Sequence, residues 1–127
     1  MTAVRHAAVA GHFYPADAQL LRSTVTALLD EAGLPQGPAP RALIVPHAGY
    51  VYSGPVAATA YARLRVHRDR YSRVVLLGPC HYVGVGGLAF SSADVFRTPL
   101  GDIPVEPTVF ADADLPDSRV VDATHRP

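Results

Sequence analysis

Two histidine-bearing loops carry the residues best suited to chemistry, Pro46-His47-Ala48-Gly49-Tyr50 and Gly78-Pro79-Cys80-His81-Tyr82. Each follows an apolar, β-branched run, Arg41-Ala42-Leu43-Ile44-Val45 in one case and Arg73-Val74-Val75-Leu76-Leu77 in the other. Ligands of an open α/β sheet bind outside the carboxyl ends of its parallel strands. If the two runs are neighbouring strands, about 4.8 Å apart, their imidazoles converge at that edge. A pair of neutral imidazoles is the beginning of a metal site. A facial iron site adds one carboxylate and leaves positions open for substrate and oxygen, whereas catalytic zinc takes three protein ligands plus water. Glu106, Asp94, Asp102 and Asp122 are the carboxylates available as a third ligand, and spacing singles out none of them.

Other residues are placed around the same cleft. His12, in Gly11-His12-Phe13-Tyr14-Pro15, reaches it if the opening segment folds over the sheet edge. Tyr50 and Tyr52 flank the His47 loop and can offer hydroxyls to a substrate, or simply pack with a wetted phenol. Cys80 adjoins His81, but neighbours in an extended loop point opposite ways, so it reads as a small buried residue at the cleft. His6 and His67 read as surface histidines. Ser53 lacks any triad pattern and reads as a helix cap. Gly84-Val85-Gly86-Gly87 has neither the leading strand nor the following helix of a dinucleotide fingerprint.

The elements that must position these groups follow from periodicity. Leu20, Leu21, Val25, Leu28, Leu29 and Ala32 recur at helical spacing; Asp17 can cap that helix, and Gly33 with Pro35 stops it. Gln36 to Pro40 is a rigid connector. The runs 41–45 and 73–77 are predicted as strands buried on both faces. Between them a helix opens at Ser53, with Pro55 in its first turn and Val56, Ala57, Ala60, Tyr61 and Leu64 on one stripe. Strand, helix and strand make a right-handed βαβ unit. Leu88–Ser91 and Val95–Thr98 alternate like a hairpin joined by Ser92-Ala93-Asp94. Pro99-Leu100-Gly101-Asp102 is a turn, Ile103–Val105 a short strand and Pro107–Leu115 a short helix. The fold class expected is α/β, a mostly parallel sheet flanked by helices, in a single domain over residues 1–127.

Composition excludes several functions. The chain has 127 residues, with 11 basic against 11 acidic side chains. Every basic residue is Arg; Lys, Asn and Trp are absent. Schiff-base enzymes and P-loop NTPases need a lysine. Zero net charge gives no footprint for nucleic acid or an anionic membrane, and the cluster Arg63, Arg65, Arg68, Arg70 and Arg73 reads as a solvated face. One cysteine and no apolar run near a membrane span fit a reducing cytoplasm. The lysine-free, Arg- and Ala-rich composition points to a GC-rich bacterial genome.

The motifs Ala10-Gly11-His12-Phe13-Tyr14-Pro15, Ala42-Leu43-Ile44-Val45-Pro46-His47-Ala48-Gly49-Tyr50-Val51-Tyr52-Ser53-Gly54, Leu77-Gly78-Pro79-Cys80-His81 and Phe96-Arg97-Thr98-Pro99-Leu100-Gly101 occur in this order. Order and spacing resemble the Memo family, whose bacterial and archaeal members are called AmmeMemoRadiSam system protein B. The resemblance covers about Arg5 to Glu106. It implies a fold similar to class III extradiol dioxygenases, with His47 and His81 as ligands of a non-haem iron(II) or copper centre, zinc being possible. It also implies dioxygenase-like or redox activity, a small aromatic or peptide ligand, and a link to a radical SAM protein. The alternative it offers is a non-catalytic adaptor that recognises phosphotyrosine peptides with the same cleft. Against that, neither histidine loop contains an Arg or Lys, and Arg97 is the nearby candidate for a phosphate. His12 stands where the family more often has a small polar residue and Cys80 where it usually has Ser, and neither gains a role from the match. The family's third ligand, a late cysteine or in the dioxygenases a glutamate, has no counterpart here. Family members are about twice this long, so the resemblance implies that these residues are an N-terminal half.

Overall fold

The computed structural model describes residues 1–106, 115 and 117–125. They group into two compact units, Ala10–Leu76 and Met1–Val9 with Leu77–Pro127.

In the unit Ala10–Leu76, two helices pack side by side with like ends together, Asp30 near the end of one pairing with Arg65 at the end of the other: α1 (Ala18–Glu31) and α2 (Tyr50–Arg65). α1 forms where the periodicity places it. The Asp17 carboxylate accepts the Leu20 N–H at 2.8 Å, satisfying one of the donors a helix start leaves free. Gly33, at φ +75°, takes the left-handed conformation that ends it. Leu21 is buried, and Val25, Leu28, Leu29 and Ala32 continue its face half-buried.

α2 starts one turn earlier than expected. Ser53 is not the cap: its hydroxyl donates back to the Ala48 carbonyl at 2.8 Å, which places it inside the first turn. Gly49 is the capping residue, and the Tyr50 N–H donates to the Phe13 carbonyl at 2.8 Å, so a loop replaces the side-chain cap. Pro55 therefore sits in the second turn, where its missing N–H leaves the Val51 carbonyl without its i+4 donor. Gly54, Ala58 and Ala62 are buried, four residues apart, and form the small-residue ridge that faces α1. Beyond α2 lies a 3-10 turn, Arg68–Arg70.

The other unit holds the strands: β1 (Val4–Arg5), β2 (Leu88–Phe90), β3 (Val95–Thr98), β4 (Gly101–Pro104) and β5 (Ser118–Val120), followed by a 3-10 turn, Asp122–His125. One sheet has the order β1-β3-β4 and the other pairs β2 with β5. The pairs β1–β3 and β2–β5 are parallel, and β3–β4 is antiparallel. Helices with mainly parallel pairing give the α/β class that the sequence predicts.

The strands that carry this class are not the ones expected. Runs 41–45 and 73–77 join no ladder among the described residues, so the βαβ unit is not built on them. Ile44 is 101% exposed and Leu76 80%. Apolar, β-branched composition states what a segment can bury; a ladder also needs a partner strand in register. The expected β2–β3 hairpin is replaced as well. Asp122 accepts the Ser92 N–H at 2.7 Å and its hydroxyl at 2.6 Å, while Asp94 and Ala3 exchange two bonds of 2.8 and 2.9 Å. These contacts send β2 and β3 to different partners. The hairpin is β3–β4, with Thr98 opposite Gly101 across Pro99-Leu100; β4 begins two residues before the strand read from sequence. The helix expected over Pro107–Leu115 falls, except for its last residue, outside the described residues.

Candidate functional site

His47 lies exposed in the loop that enters α2, in the unit Ala10–Leu76. Its loop is held on both sides: Gly49 packs on the Phe13 backbone, and the Ser53 hydroxyl holds the Ala48 carbonyl. His81 belongs to the other unit, also exposed, with its ring edge-on to Tyr82 at 6.5 Å. Cys80 is an exposed free thiol, not the small buried residue expected from the sequence. The run before it is exposed rather than inserted in a sheet, and the loop follows suit.

The structure brings His12 and Tyr50 together on one open groove of about 530 Å³ beside α1 and α2. Tyr52, 84% exposed, does not line it. Phe13, Tyr14, Leu20, Leu28 and Pro55 complete its apolar walls. The Tyr14 and Tyr50 rings meet at 5.7 Å, tilted by 41°. Burial raises the Tyr50 phenol above its ordinary pKa, and the neighbouring phenols Tyr14 and Tyr61 add to the shift. Sequence reading missed Tyr14 and Pro55 as lining residues. The signal was present in the Phe13-Tyr14-Pro15 run, but only the fold lays that run along α2.

Asp94, Asp102 and Asp122, offered as third ligands, are each engaged in the structure. Asp94 accepts from Ala3, Asp122 from Ser92, and Asp102 holds Arg97 with two bonds of 2.8 Å. That pair lowers the Asp102 pKa and raises that of Arg97, chiefly through their hydrogen bonds. Arg97 is thus already engaged by a carboxylate. Among the described residues no three His, Cys, Asp or Glu side chains gather as a metal site.

The model of the Memo-like protein family matches residues 5–119, which include both histidine loops, the groove residues and the Arg97 hairpin. The chain belongs to the Memo family. Protein MEMO1 of zebrafish (Danio rerio) is 43% identical over 108 residues, 85% of this chain and 35% of its own length. The Caenorhabditis elegans Protein memo-1 homolog is 45% identical over 102 residues, 80% of this chain and 28% of its own length. Human Protein MEMO1 is 37% identical over 108 residues, again 35% of its length. The matched part of this Memo-family chain thus spans about a third of these curated relatives. No helix among its described residues is long and apolar enough to cross a membrane.

Proposed function

We propose that this Memo-family chain contributes His47 and His81 to a metal-binding cleft for non-haem iron or copper. The observation that supports the reading is the family match across both histidine loops, each of which presents its imidazole exposed. As a donor set, two imidazoles are partial. They suit iron(II), copper or zinc, and each metal needs at least one further ligand from elsewhere. With such a ligand the centre would supply Lewis-acid or redox chemistry of the dioxygenase type. The chain's own contribution is to hold His47 on the capping loop of α2, where Gly49, Phe13 and Ser53 pin the backbone. A bacterial, cytoplasmic setting and a link to a radical SAM protein belong to the same proposal.

Anaerobic loading with iron(II) or copper(I), read as metal per chain, tests it against a His47→Ala, His81→Ala double variant. Retention in the parent and loss in the variant is the expected result. Equal content in both removes these histidines from the site.

A second reading is a binding module without turnover, favoured by the aromatic groove at Tyr14 and Tyr50. A small aromatic or a peptide side chain suits its walls better than a phosphate does, because no Arg among the described residues lines the groove. Calorimetry with phenol and with phosphotyrosine separates the two. Heat with neither retires this reading.

A further inference from the structure

A chain of zero net charge can still segregate its charges, and this one does. Ala10–Leu76 has seven Arg against four acidic residues, and the remainder has four against seven. Five of those seven Arg fall between residues 63 and 73.

The structure adds a clasp to that composition. Arg63 lies across Gly37, its Nη2 only 3.2 Å from where a Cβ would stand there. Next along, His67 Nε2 and the Gly37 carbonyl are 3.1 Å apart, and the Tyr71 hydroxyl donates to the Pro40 carbonyl at 2.8 Å. The backbone bonds His67 N–H to Leu64 O and Arg70 N–H to His67 O, both 2.9 Å, tighten the turn between α2 and the 3-10 segment. The Pro- and Gly-rich connector is thereby fixed against the end of α2. Arg41 follows Pro40, Arg68 follows His67 and Arg70 precedes Tyr71, so each exposed guanidinium starts one residue from the clasp.

Local acids do not compensate this surface. Asp30 engages Arg65. Asp69 reaches Arg68 only at 3.6 Å, with the side chains 92% and 81% exposed, where solvent screening leaves little attraction. The carboxyl end of α2 favours Arg63 and Arg65, but a helix dipole fades within its last turn and does not extend to Arg41, Arg68 or Arg70. Like charges on a rigid frame repel one another until a counter-charge arrives.

We propose that Arg41, Arg63, Arg68 and Arg70 form a docking surface for an acidic polypeptide segment. Guanidinium forks match carboxylates two bonds at a time. Single-stranded nucleic acid fits less well, because base stacking needs a free aromatic face, and Tyr71 is half-buried with its hydroxyl committed to Pro40. The proposal is independent of the metal reading, since it uses neither histidine loop.

The test is fluorescence anisotropy of a labelled oligoglutamate peptide at low and moderate salt, with oligothymidylate as the competing probe. The expected result is peptide binding that weakens with salt and drops about tenfold in an Arg68→Gln, Arg70→Gln variant, about 1.4 kcal/mol for the two lost charge-assisted pairs together. The Arg68→Lys, Arg70→Lys variant keeps the charge but not the fork, so it should bind more weakly than the parent and more tightly than the Gln variant; far-ultraviolet circular dichroism checks that α2 persists in both. Undiminished binding in the Gln variant overturns the proposal. So does tighter binding of oligothymidylate, absence of peptide binding at low salt, or salt-sensitive self-association that assigns the surface to a second copy.

Discussion

Gly54 of α2 stands so close to Leu28 of α1 that a Cβ on Gly54 would lie 3.1 Å from Leu28 Cδ1. The close packing of the two helices is therefore set by the absence of a side chain. Gly54→Val should lower stability by about 1–3 kcal/mol through overpacking, read in urea unfolding followed by helix content. Adding Leu28→Ala to that variant should recover part of the loss. Strict additivity of the two changes would show that the residues do not meet.

Asp17 should be worth about 1 kcal/mol as the cap of α1, because its carboxylate satisfies the Leu20 N–H in an exposed setting. Asp17→Ala is expected to lower the thermal midpoint, and Asp17→Ser to keep most of it. Equal midpoints for the parent and the Ala variant would remove the cap from the account of this helix.

At Gly87 the constraint is more severe. The residue has φ +84°, and a Cβ there would collide with the Asp117 carbonyl oxygen, which accepts the Leu88 N–H at 3.1 Å. Any side chain must push away the backbone that starts the β2–β5 pairing. Gly87→Ala should raise amide exchange at Ala89 and Phe90 well before it affects α1. Unchanged protection of those amides would contradict the close approach.

Titration of Asp102 reports the Arg97 pair. Its carboxyl pKa is lowered, so the folded state binds its proton less readily than the unfolded state does. The stabilisation is present above the ordinary carboxylate range and is lost as pH falls through the folded value. Both partners face solvent, so salt should weaken the effect. In a carbon-detected nuclear magnetic resonance titration, Arg97→Gln should return Asp102 to the usual aspartate range. A midpoint that does not move would place the cause elsewhere.

Tyr50 gives the opposite sign at the alkaline end. Its raised pKa means that above about pH 10 the folded state keeps a proton the unfolded chain releases. Stability from this group is complete below that value and falls as pH rises through the folded one. Tyr50→Phe should flatten alkaline unfolding, and the tyrosinate absorbance should lose its latest-titrating component. An identical spectrophotometric titration would show that Tyr50 ionises normally.

Local rules determined much of what the sequence shows by itself. Asp17, the Leu21–Leu28 spacing and Gly33 specify α1 because a helix start, face and stop act within a few residues of each other. The four ordered motifs that suggested the Memo family lie within the matched residues 5–119. Tertiary structure decided whatever needed a partner distant in the chain. The start of α2 was displaced because Phe13 supplies the acceptor that Ser53 was expected to provide at the other end of the helix's first turn. Ser92 and Asp94 separate two strands that alternate like a hairpin, through Asp122 and Ala3. The runs at Ile44 and Val75 have strand composition and no ladder among the described residues, since side-chain type sets the tendency to pair and only a neighbour in register completes it. His12 and Tyr50 share a groove for the same reason: Tyr50 and the Phe13 loop meet through one backbone hydrogen bond that no spacing in the sequence encodes.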